Sequence, residues 1–385
     1  MKHTGLRKLG LFLGLGALAL VAAAGPPAGA RAQVPPRDQR DANLFYLSDR
    51  GQYLLVWVED QGAGNRVMAR RVRSNGLPIG GADGGAWEIT GTTGTGALAG
   101  KKGDQRNPSA VEGLMVWAEM APGGADFDIY AQRLYTNFRA SGRPKMIVGG
   151  PGNQLFPDVV RNGRNGEWLV VWSEDTTDAG DVKGLRLGQA LTPRSKVFDV
   201  ATGPGVAEDP TIARDLTDND AFLVLFTDDR NGNKDIFGVR VTESGLPRGG
   251  PAAGPFEVVT SPEDDYAPQL VISEFTGSYN PPSRGRGTLP RTRNALLWTR
   301  DHVTDGPDVM GLRLNNNGLP QGGAFPVAAG PGEQSWPAAA LRSPGAREEW
   351  LVIWQADTLG NFDIYGIDLG LNGRSRRPAW ALASD

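Results

Sequence analysis

Trp168-Leu-Val-Val-Trp172, followed by Asp181-Val-Lys-Gly-Leu-Arg-Leu187, is the pair of segments that decides the fold, because the chain repeats it six times. Each copy is a short apolar run that ends in Trp or Phe, followed by a β-branched segment. The aromatic residues that end the six runs are Trp57, Trp117, Trp172, Phe226, Trp298 and Trp354. They are 60, 55, 54, 72 and 56 residues apart. Such spacing is typical of a repeat architecture.

Both segments are predicted to be β-strands, because they are short, rich in β-branched and aromatic residues, and bounded by Gly, Asp and Asn. Two further strands complete each unit. One follows a Gly-rich turn such as Gly76-Leu-Pro78, where Asn75-Gly76 favours a hairpin turn with positive φ. The other carries a proline at or near its start, as seen at Pro108, Pro157, Pro210, Pro268 and Pro337.

Six units of four antiparallel strands, with no amphipathic helix between them, predict an all-β fold: a six-bladed β-propeller of four-stranded antiparallel blades. A pair of β-sandwiches or another stacked β array is the alternative. Residues 42–385 form the single propeller domain in this prediction. Its blades are expected at about residues 42–90, 105–148, 155–200, 208–259, 266–327 and 335–383.

The strand order inside a blade has two readings. If the proline-bearing strand is innermost, the chain starts with the inner strand of blade 1 and ends with the outer strand of blade 6, so no strand crosses the seam. If the Leu-Val-Val-Trp strand is innermost, residues 42–47 complete the last blade as a clasp. We favour the first order.

The whole repeat resembles the exported bacterial β-propellers related to the WD40-like repeats of TolB. The resemblance rests on segments such as Trp168-Leu-Val-Val-Trp172, Asp235-Ile-Phe-Gly-Val-Arg-Val241 and Phe256-Glu-Val-Val259, and it covers about residues 42–383. It implies the fold and the proline strand as innermost. It implies little about activity, because such propellers are scaffolds that carry unrelated functions.

Composition narrows the chemistry before any motif is considered. The 385 residues include no Cys and only two His, at His3 and His302. A disulfide framework, a thiol nucleophile and a thiolate metal site are therefore excluded, and His-rich metal sites are nearly so. Gly and Pro are in excess, with 54 and 28 residues, and this excess falls mainly at the turns of the repeat.

The first 32 residues have the order of a secretory signal. Lys2, Arg7 and Lys8 precede an apolar stretch that is followed by Ala30-Arg-Ala32, which predicts cleavage after Ala32. An uncleaved membrane anchor is the alternative. Residues 33–41 are expected to be a flexible polar leader. These features predict a secreted or periplasmic, monomeric protein with no membrane span after cleavage. Its acidic net charge argues against nucleic-acid binding.

Carboxylates recur where the second strand of each unit turns into the third, which predicts an acidic belt on one face of the disc. Within it, Asp229, Asn231, Asn233 and Asp235 alternate around a glycine. Clustered oxygen ligands of this kind suit a hard cation. The sequence thus marks a candidate calcium site. The competing interpretation is that Asp and Asn cap tight turns by accepting bonds from the backbone.

A basic insertion between Val271 and Ala295 accounts for the 72-residue spacing. It holds Arg284, Arg286, Arg291 and Arg293, and it joins first and second strands, so it is expected on the face opposite the acidic belt. Arginines on a long loop suit a carboxylate, a sulfate or an anionic glycan. The alternative is an insertion that charge keeps soluble.

Two functions from different classes follow. We expect a non-enzymatic module that binds a protein or a surface glycan at the cell envelope or outside, because carboxylates that recur in every unit indicate architecture. The alternative is a carbohydrate-active hydrolase that uses non-repeated carboxylates near the central channel. An enzyme would show a deep axial pocket with two close carboxylates in dissimilar surroundings. A binding module would show a narrow or water-filled channel lined by repeated residues, and this is what we predict.

Overall fold

A computed structural model describes residues 38–47, 51–62, 64–79, 85–90, 103–163, 165–175, 180–214, 221–242, 244–246, 248, 254–272, 294–302, 304, 306–315, 318–341, 349–357, 361–370, 372–375 and 377–383. All of them belong to one unit, Pro36–Asp385. The signal and the start of the leader lie outside the described residues.

The described residues form six sheets of four strands. Blade 1 holds β1 Gln39–Leu47, β2 Gln52–Asp60, β3 Asn65–Arg73 and β4 Trp87–Glu88; blade 2 holds β5 Asp104–Val111, β6 Leu114–Met120, β7 Phe127–Leu134 and β8 Ala140–Val148. Blade 3 holds β9 Asn153–Arg161, β10 Trp168–Asp175, β11 Asp181–Leu187 and β12 Phe198–Ala201; blade 4 holds β13 Ala207–Arg214, β14 Ala221–Asp228, β15 Asp235–Thr242 and β16 Phe256–Val259. Blade 5 holds β17 Asp265–Val271, β18 Asn294–Arg300, β19 Asp308–Leu314 and β20 Phe325–Ala328; blade 6 holds β21 Gln334–Leu341, β22 Glu349–Asp357, β23 Phe362–Gly370 and β24 Trp380–Ala383.

The six-bladed propeller is confirmed. Each sheet is antiparallel and takes its four strands in chain order, so no strand crosses the seam, as the first of the two strand orders predicted. The first strand of each blade contacts the first strands of both neighbouring blades, and β1 contacts β21, which closes the ring. The described part of the chain contains no helix, and therefore none that could span a membrane.

The second strand of each blade carries the core. Every side chain of β14 is buried, and β2 and β10 are buried for most of their length. Core clusters join neighbouring blades: Val171 of blade 3 packs in one cluster with Phe226 of blade 4. A blade covered on both faces has no water-facing side, which is why these strands are apolar throughout rather than alternating.

The first strand of each blade begins earlier than the proline suggested, and the proline lies inside it at a β-bulge. In blade 3 the pairing with β10 shifts at Phe156-Pro157, four residues into the strand. Proline has no N–H to give to the ladder, so a bulge is where a sheet accepts it. The same offset places the start of β1 at Gln39, within the stretch expected to be a flexible leader, and Gln39 pairs with Glu59.

The seam between blades 6 and 1 is closed by side chains from the outer strands. Arg70 Nη1 donates to the carbonyl of Leu382 at 2.8 Å, and Trp380 Nε1 donates to the carbonyl of Gly76 at 3.0 Å. Gly76 has φ +77°, the positive value that its turn requires. A Cβ placed on it would lie 2.3 Å from Trp380 Cζ2.

Gly76→Ala is therefore expected to destabilise the protein by about 2 kcal/mol or more, because it combines a left-handed backbone with a steric clash at the seam. Urea unfolding measures this loss. Gly142→Ala is the matched control, since Gly142 has φ +78° but no atom within 4 Å of the added Cβ. If both variants lose the same stability, the contact with Trp380 does not matter at the seam.

Candidate functional site

The bulges of the six inner strands meet around the central axis. The first residue of each bulge has φ between +49° and +52°, although none is a glycine. These residues, which we call the axial ring, are Asp41, Asn107, Phe156, Asp209, Ala267 and Trp336. The backbone thus repeats six times while the side chains differ. Left-handed backbone at non-glycine residues is strained and concentrates at functional sites.

Hydrogen bonds between blades hold the axial ring in place. In blades 4, 5 and 6 the ring residue's N–H donates to a hydroxyl on the second strand of the preceding blade: Asp209 N to Ser173 Oγ at 3.0 Å, Ala267 N to Thr227 Oγ1 at 3.2 Å, and Trp336 N to Thr299 Oγ1 at 3.0 Å. Asp41 N donates in the same way to Gln355 Oε1 at 3.2 Å.

In blades 2 and 3, a side chain of the axial ring takes the place of that hydroxyl as the acceptor. The residues equivalent to those hydroxyls in the preceding blades are Val58 and Ala118, which cannot accept a hydrogen bond. Asp41 Oδ2 therefore accepts from Asn107 N at 3.0 Å and from Asn107 Nδ2 at 3.1 Å. One oxygen of Asp41 is thus held in a fixed orientation by blade 2.

The axial ring opens into a pocket of about 530 Å³, its mouth included. All six ring residues line it, together with the residue after each and with Asn43, Asp158, Thr211 and Gln269 from the next layer of the inner strands. The pocket lies toward the starts of the inner strands. Because Ala207 pairs with Asp228, this is the face that also carries the second-to-third strand hairpins and their acidic belt.

Asp158 forms part of the pocket wall below the ring. Its carboxylate accepts from Ser109 Oγ at 2.6 Å, Thr211 Oγ1 at 3.1 Å, Ile212 N at 2.9 Å and Val159 N at 2.8 Å. Burial raises the pKa of Asp158, and these hydrogen bonds oppose that rise. Because four donors already surround it, Asp158 joins blades 2, 3 and 4 rather than reaching for a ligand.

Asp41 and Asp209 stand on blades 1 and 4, which face each other across a ring of six. Burial raises the pKa of both carboxyls. The rise at Asp41 is opposed by the Asn107 N–H and by the charges of Arg106 and Arg40. The pKa of Asp209 is raised well above its ordinary value, because the charge of Glu208 adds to burial while Lys234 opposes it. The negative charge of Asp41 also raises it. The two carboxyls therefore line one pocket from facing blades, and burial is the main influence on both, with the charge of Glu208 adding to it at Asp209.

Two aromatic side chains cross the axis between the other facing blades. The rings of Phe156 on blade 3 and Trp336 on blade 6 are stacked, with centroids 5.1 Å apart and planes 8° apart. Tyr266 meets Trp336 edge-on at 6.4 Å. Stacked rings of this kind offer apolar faces beside the carboxyl pair, which is the combination of hydrophobic and polar lining found in ligand pockets.

The carboxylates of the acidic belt mainly form hydrogen bonds that stabilise the blades. Asp128, Asp235 and Asp308, which open the third strand of their blades, accept N–H bonds from Gly150, Ser261 and Gly330 at 3.4, 3.3 and 3.2 Å. These donors follow the fourth strand, so the repeated Asp ties the outer edge of the blade to the hairpin. Asp228, at the end of β14, is fully buried and pairs with Arg230 at 2.6 Å.

The side chains of the calcium candidate form hydrogen bonds within their loop and to two neighbouring segments of the chain. Asn231 Nδ2 donates to Asp235 Oδ2 at 3.0 Å, Asn233 Nδ2 donates to the carbonyls of Ser261 and Glu263 at 3.0 and 2.9 Å, and Asp229 Oδ1 accepts from Val206 N at 2.7 Å. Among the residues described, no three His, Cys, Asp or Glu side chains are grouped to hold a metal ion. Calcium at this loop stays a prediction.

The basic insertion cannot be placed. Arg284, Arg286, Arg291 and Arg293 lie outside the described residues, so their binding of an anion also stays a prediction.

The fold is similar to that of solved propeller enzymes. An α-L-arabinofuranosidase from Lactobacillus brevis matches with 13% identity and a TM-score of 0.46, over 74% of this chain and 94% of that one. An endo-arabinase from Bacteroides thetaiotaomicron VPI-5482 matches with 12% identity and a TM-score of 0.46, over 71% and 93%. An exo-1,5-α-L-arabinanase from a bovine ruminal metagenomic library matches with 12% identity and a TM-score of 0.41, over 93% and 100%.

No protein-family model and no curated protein sequence matches this chain. The relation to TolB-type repeats is therefore not shown, and the structural matches are too distant to indicate what this protein does. The function has to be argued from the pocket.

The prediction of a non-enzymatic binding module is wrong. It required an axial channel lined by repeated residues, whereas the axial ring breaks the repeat at every blade and brings two carboxyls together in a pocket. The recurring carboxylates bond to the backbone of their own blades, whereas the axial pocket holds non-repeated carboxylates, which the alternative hydrolase prediction required.

A sequence signal for the axial ring existed. Five of its six members are the residue immediately before the proline of the repeat, as in Phe156-Pro157 and Asp209-Pro210. The residue at this position differs among the five copies, whereas the proline that follows it is the same in all five. A repeat that keeps its backbone signal and changes one side chain per copy indicates that this side chain does something other than build the repeat.

Proposed function

We propose that this protein is a glycoside hydrolase whose active site is the axial pocket. The observation that carries the proposal is the pair Asp41 and Asp209, two non-repeated carboxyls that line the axial pocket from facing blades. Glycoside hydrolysis uses two carboxyl groups, one protonated and one ionised, on opposite sides of the scissile bond. Burial raises both pKa values, but that of Asp209 lies well above its ordinary value, so Asp209 is assigned as the acid of the pair.

Asp209 is the proton donor in this proposal. It is 7% exposed, and burial together with the charge of Glu208 raises its pKa, so the neutral acid is favoured there. Asp41 is the base. Burial raises its pKa, and the Asn107 N–H and the charges of Arg106 and Arg40 oppose that rise. Phe156 and Trp336 supply apolar ring faces, against which the C–H face of a sugar packs.

The reaction needs one water and no cofactor. Asp209 transfers its proton to the glycosidic oxygen as the bond from that oxygen to the anomeric carbon breaks. A water oxygen bonds to the anomeric carbon from the opposite side and gives a proton to Asp41. This single displacement inverts the anomeric centre, so the configuration of the product tests it.

The test is hydrolysis of a panel of plant and bacterial polysaccharides and of aryl glycosides by the purified mature protein, with products followed by NMR to read their anomeric configuration. We expect release of reducing sugar from at least one substrate, with inversion, and none from Asp41→Asn or Asp209→Asn. Glu112→Gln is the control, because Glu112 is a surface residue at the far end of the inner strand from the pocket. Activity that survives in both Asp variants would place the reaction elsewhere.

We also propose that the protein acts outside the cytoplasm, as a monomer cleaved after Ala32. The Lys2, Arg7 and Lys8 cluster ahead of an apolar stretch supports this, as does the resemblance to exported TolB-type propellers. Polysaccharides are met outside the cell, so export agrees with the hydrolase proposal. Mass spectrometry of the protein from culture medium and periplasm tests it: an N-terminus other than Gln33 would contradict the cleavage site.

A further inference from the structure

Asn107 connects three neighbouring blades at the axial ring. Its N–H donates to Asp41 Oδ2 at 3.0 Å, and its side-chain Nδ2 donates to the same oxygen at 3.1 Å. Its Oδ1 accepts from the Phe156 N–H at 3.4 Å. A backbone N–H can only donate and an ionised carboxylate can only accept, so the carboxamide has a single orientation. Asn107 therefore directs two donors at one oxygen of Asp41.

The backbone of Asp41 is fixed from the other side of its blade. Asp41 N donates to Gln355 Oε1 of blade 6 at 3.2 Å, and Gln355 Nε2 donates to Ser335 Oγ at 3.2 Å. Blade 6 thus orients Asp41 through neutral groups, and blade 2 binds its Oδ2. Because two donors already occupy Oδ2, Oδ1 is the oxygen with the capacity to take a proton. Asp41 is half-buried and lines the axial pocket.

The ring neighbour of Asp209 is different. Ala267 holds the position in blade 5 that Asn107 holds in blade 2, with φ +52° against +49°. Ala267 can offer Asp209 only its backbone N–H, which donates to Thr227 Oγ1 at 3.2 Å. Asp209 Oδ1 is buried without a hydrogen-bond partner. Since donors to a carboxyl oxygen favour its ionised form, Asn107 favours an ionised Asp41, whereas Ala267 does much less to stabilise a charge on Asp209.

We propose that Asn107 is the positioning residue of the base: it holds Asp41 ionised and oriented, with Oδ1 left to take a proton from the attacking water, while Ala267 leaves Asp209 as the protonated acid. The roles of base and acid rest on the proposed hydrolase function; the preference of Asn107 for the ionised carboxylate does not. As the water oxygen bonds to the anomeric carbon, its proton passes to Asp41 Oδ1. Asn107 acts through Asp41 and gives up no proton itself.

Other charges surround the two carboxyls, and the variants below leave them unchanged. Those around Asp41 are Arg40 on its own strand, Arg106 and Asp104 on β5, Asp158 on β9, Asp209 across the axis, and Glu333, which accepts from Ser335 Oγ. Those around Asp209 are Glu208, Lys234, Asp41, Asp158 and Tyr266. A comparison of each variant with the wild type therefore isolates the ring neighbour.

The pH dependence of kcat/KM, on the substrate found in the hydrolysis panel, tests the role of Asn107. Asn107→Asp keeps the shape of the residue and its tolerance of left-handed backbone, but it replaces the donor with an acceptor. Losing a donor to the ionised base raises the pKa of Asp41. The acidic limb of the profile is therefore expected to move to higher pH, with activity on that limb lower by about tenfold or more and little changed at the optimum. The same fractional loss at every pH would mean a merely structural role and would overturn the proposal.

Ala267→Asn is the reciprocal variant. It gives Asp209 the donor that Asn107 gives Asp41, which lowers the pKa of the acid, so the alkaline limb is expected to move to lower pH while the acidic limb stays. Glu112→Gln is the control and should keep both limbs. An alkaline limb unchanged in Ala267→Asn would contradict the inference that the ring neighbour sets the charge of each carboxyl.

A double-mutant cycle measures the same preference without a substrate. Asn107→Ala, Asp41→Ala and the double variant are unfolded in urea at pH 8 and at pH 3.5. Alanine is accepted in this backbone, as Ala267 shows. We expect the coupling between the two residues to change the unfolding equilibrium constant by about tenfold at pH 8, where Asp41 is ionised, and by less at pH 3.5. Equal coupling at the two pH values overturns the proposal.

Together these measurements separate the inference from the proposed function. Stronger coupling at pH 8 with no hydrolysis of any substrate would support the preference of Asn107 for the ionised carboxylate and contradict the hydrolase. Hydrolysis that depends on Asp41 and Asp209, with an acidic limb that Asn107→Asp does not move, would support the hydrolase and contradict the positioning role.

Discussion

Asp209→Asn is expected to lower kcat for glycan hydrolysis by about 10²- to 10⁴-fold, the usual contribution of a general acid. An amide has the shape of the carboxyl but no proton to transfer. The backbone N–H of Asp209 still donates to Ser173 Oγ, so the ring geometry is retained. A substitution of Asp209 is easier to interpret than one of Asp41, because Asp41 also accepts two hydrogen bonds from Asn107.

Asp209→Asn is also expected to change how the stability of the protein depends on pH. The pKa of Asp209 in the folded protein lies well above the ordinary 3.8, so folding favours its protonated form. Its stabilising contribution is full below pH 3.8 and is lost as pH rises through the folded pKa. Burial is the main cause of this window, and the charges of Glu208, Lys234 and Asp41 modify it. Asn stays neutral at every pH, so the variant is expected to melt higher than the wild type at pH 8 and at about the same temperature at pH 3.5.

Melting curves from pH 3.5 to 8 check this. Glu112→Gln should follow the wild type across the range. If Asp209→Asn is less stable than the wild type at both ends, the carboxyl contributes to folding as a structural acceptor, and its loss of activity would no longer identify a proton donor.

Asp265→Ala is expected to lower the free energy of unfolding by about 3–5 kcal/mol, the cost of leaving a buried charge without its partner. Asp265 is fully buried and accepts from Arg300 Nε at 2.7 Å, Arg300 Nη2 at 2.9 Å and Trp298 Nε1 at 2.6 Å. Without it, the indole N–H of Trp298 is left in the interior without its acceptor, and the partly buried guanidinium of Arg300 loses its bidentate partner.

Urea unfolding at pH 7 measures the loss. Glu112→Ala is the matched control, because its ion pair with Arg161 at 2.8 Å is exposed and is expected to contribute about 0–1 kcal/mol. If Asp265→Ala does not yield folded protein, Asp265→Asn keeps an acceptor for the Trp298 indole and is expected to lose less. A loss below about 1 kcal/mol in Asp265→Ala would contradict the role assigned to this pair.

Much of the fold was predictable because its signals are local. The aromatic residue that ends each second strand, the Asp that opens most third strands and the Gly of turns such as Asn75-Gly76 all act within a few residues of chain. Each of these signals is weak alone, but their recurrence in six units makes the repeat recognisable. The starts of the inner strands were missed by a few residues, since a proline inside a bulge looks like a proline at a strand end.

The site was less predictable. The sequence directed attention to Asp235 and its equivalents because they recur, and recurrence in a repeat protein marks construction. It also predicted an anion-binding loop at Arg284 and its neighbouring arginines, which lie outside the described residues. Asp41 and Asp209 were not singled out, because each stands alone in its unit and their pairing depends on which blades face each other.

The sequence by itself determined six four-stranded units and the order of strands within them, because strand patterning and turn chemistry are decided by neighbours along the chain. Only the tertiary structure decided the pocket. Asp41 and Asp209 lie 168 residues apart and meet because the ring closes with blade 1 opposite blade 4. Their low-dielectric surroundings, and hence their raised pKa values, arise from packing that exists only when all six inner strands stand together.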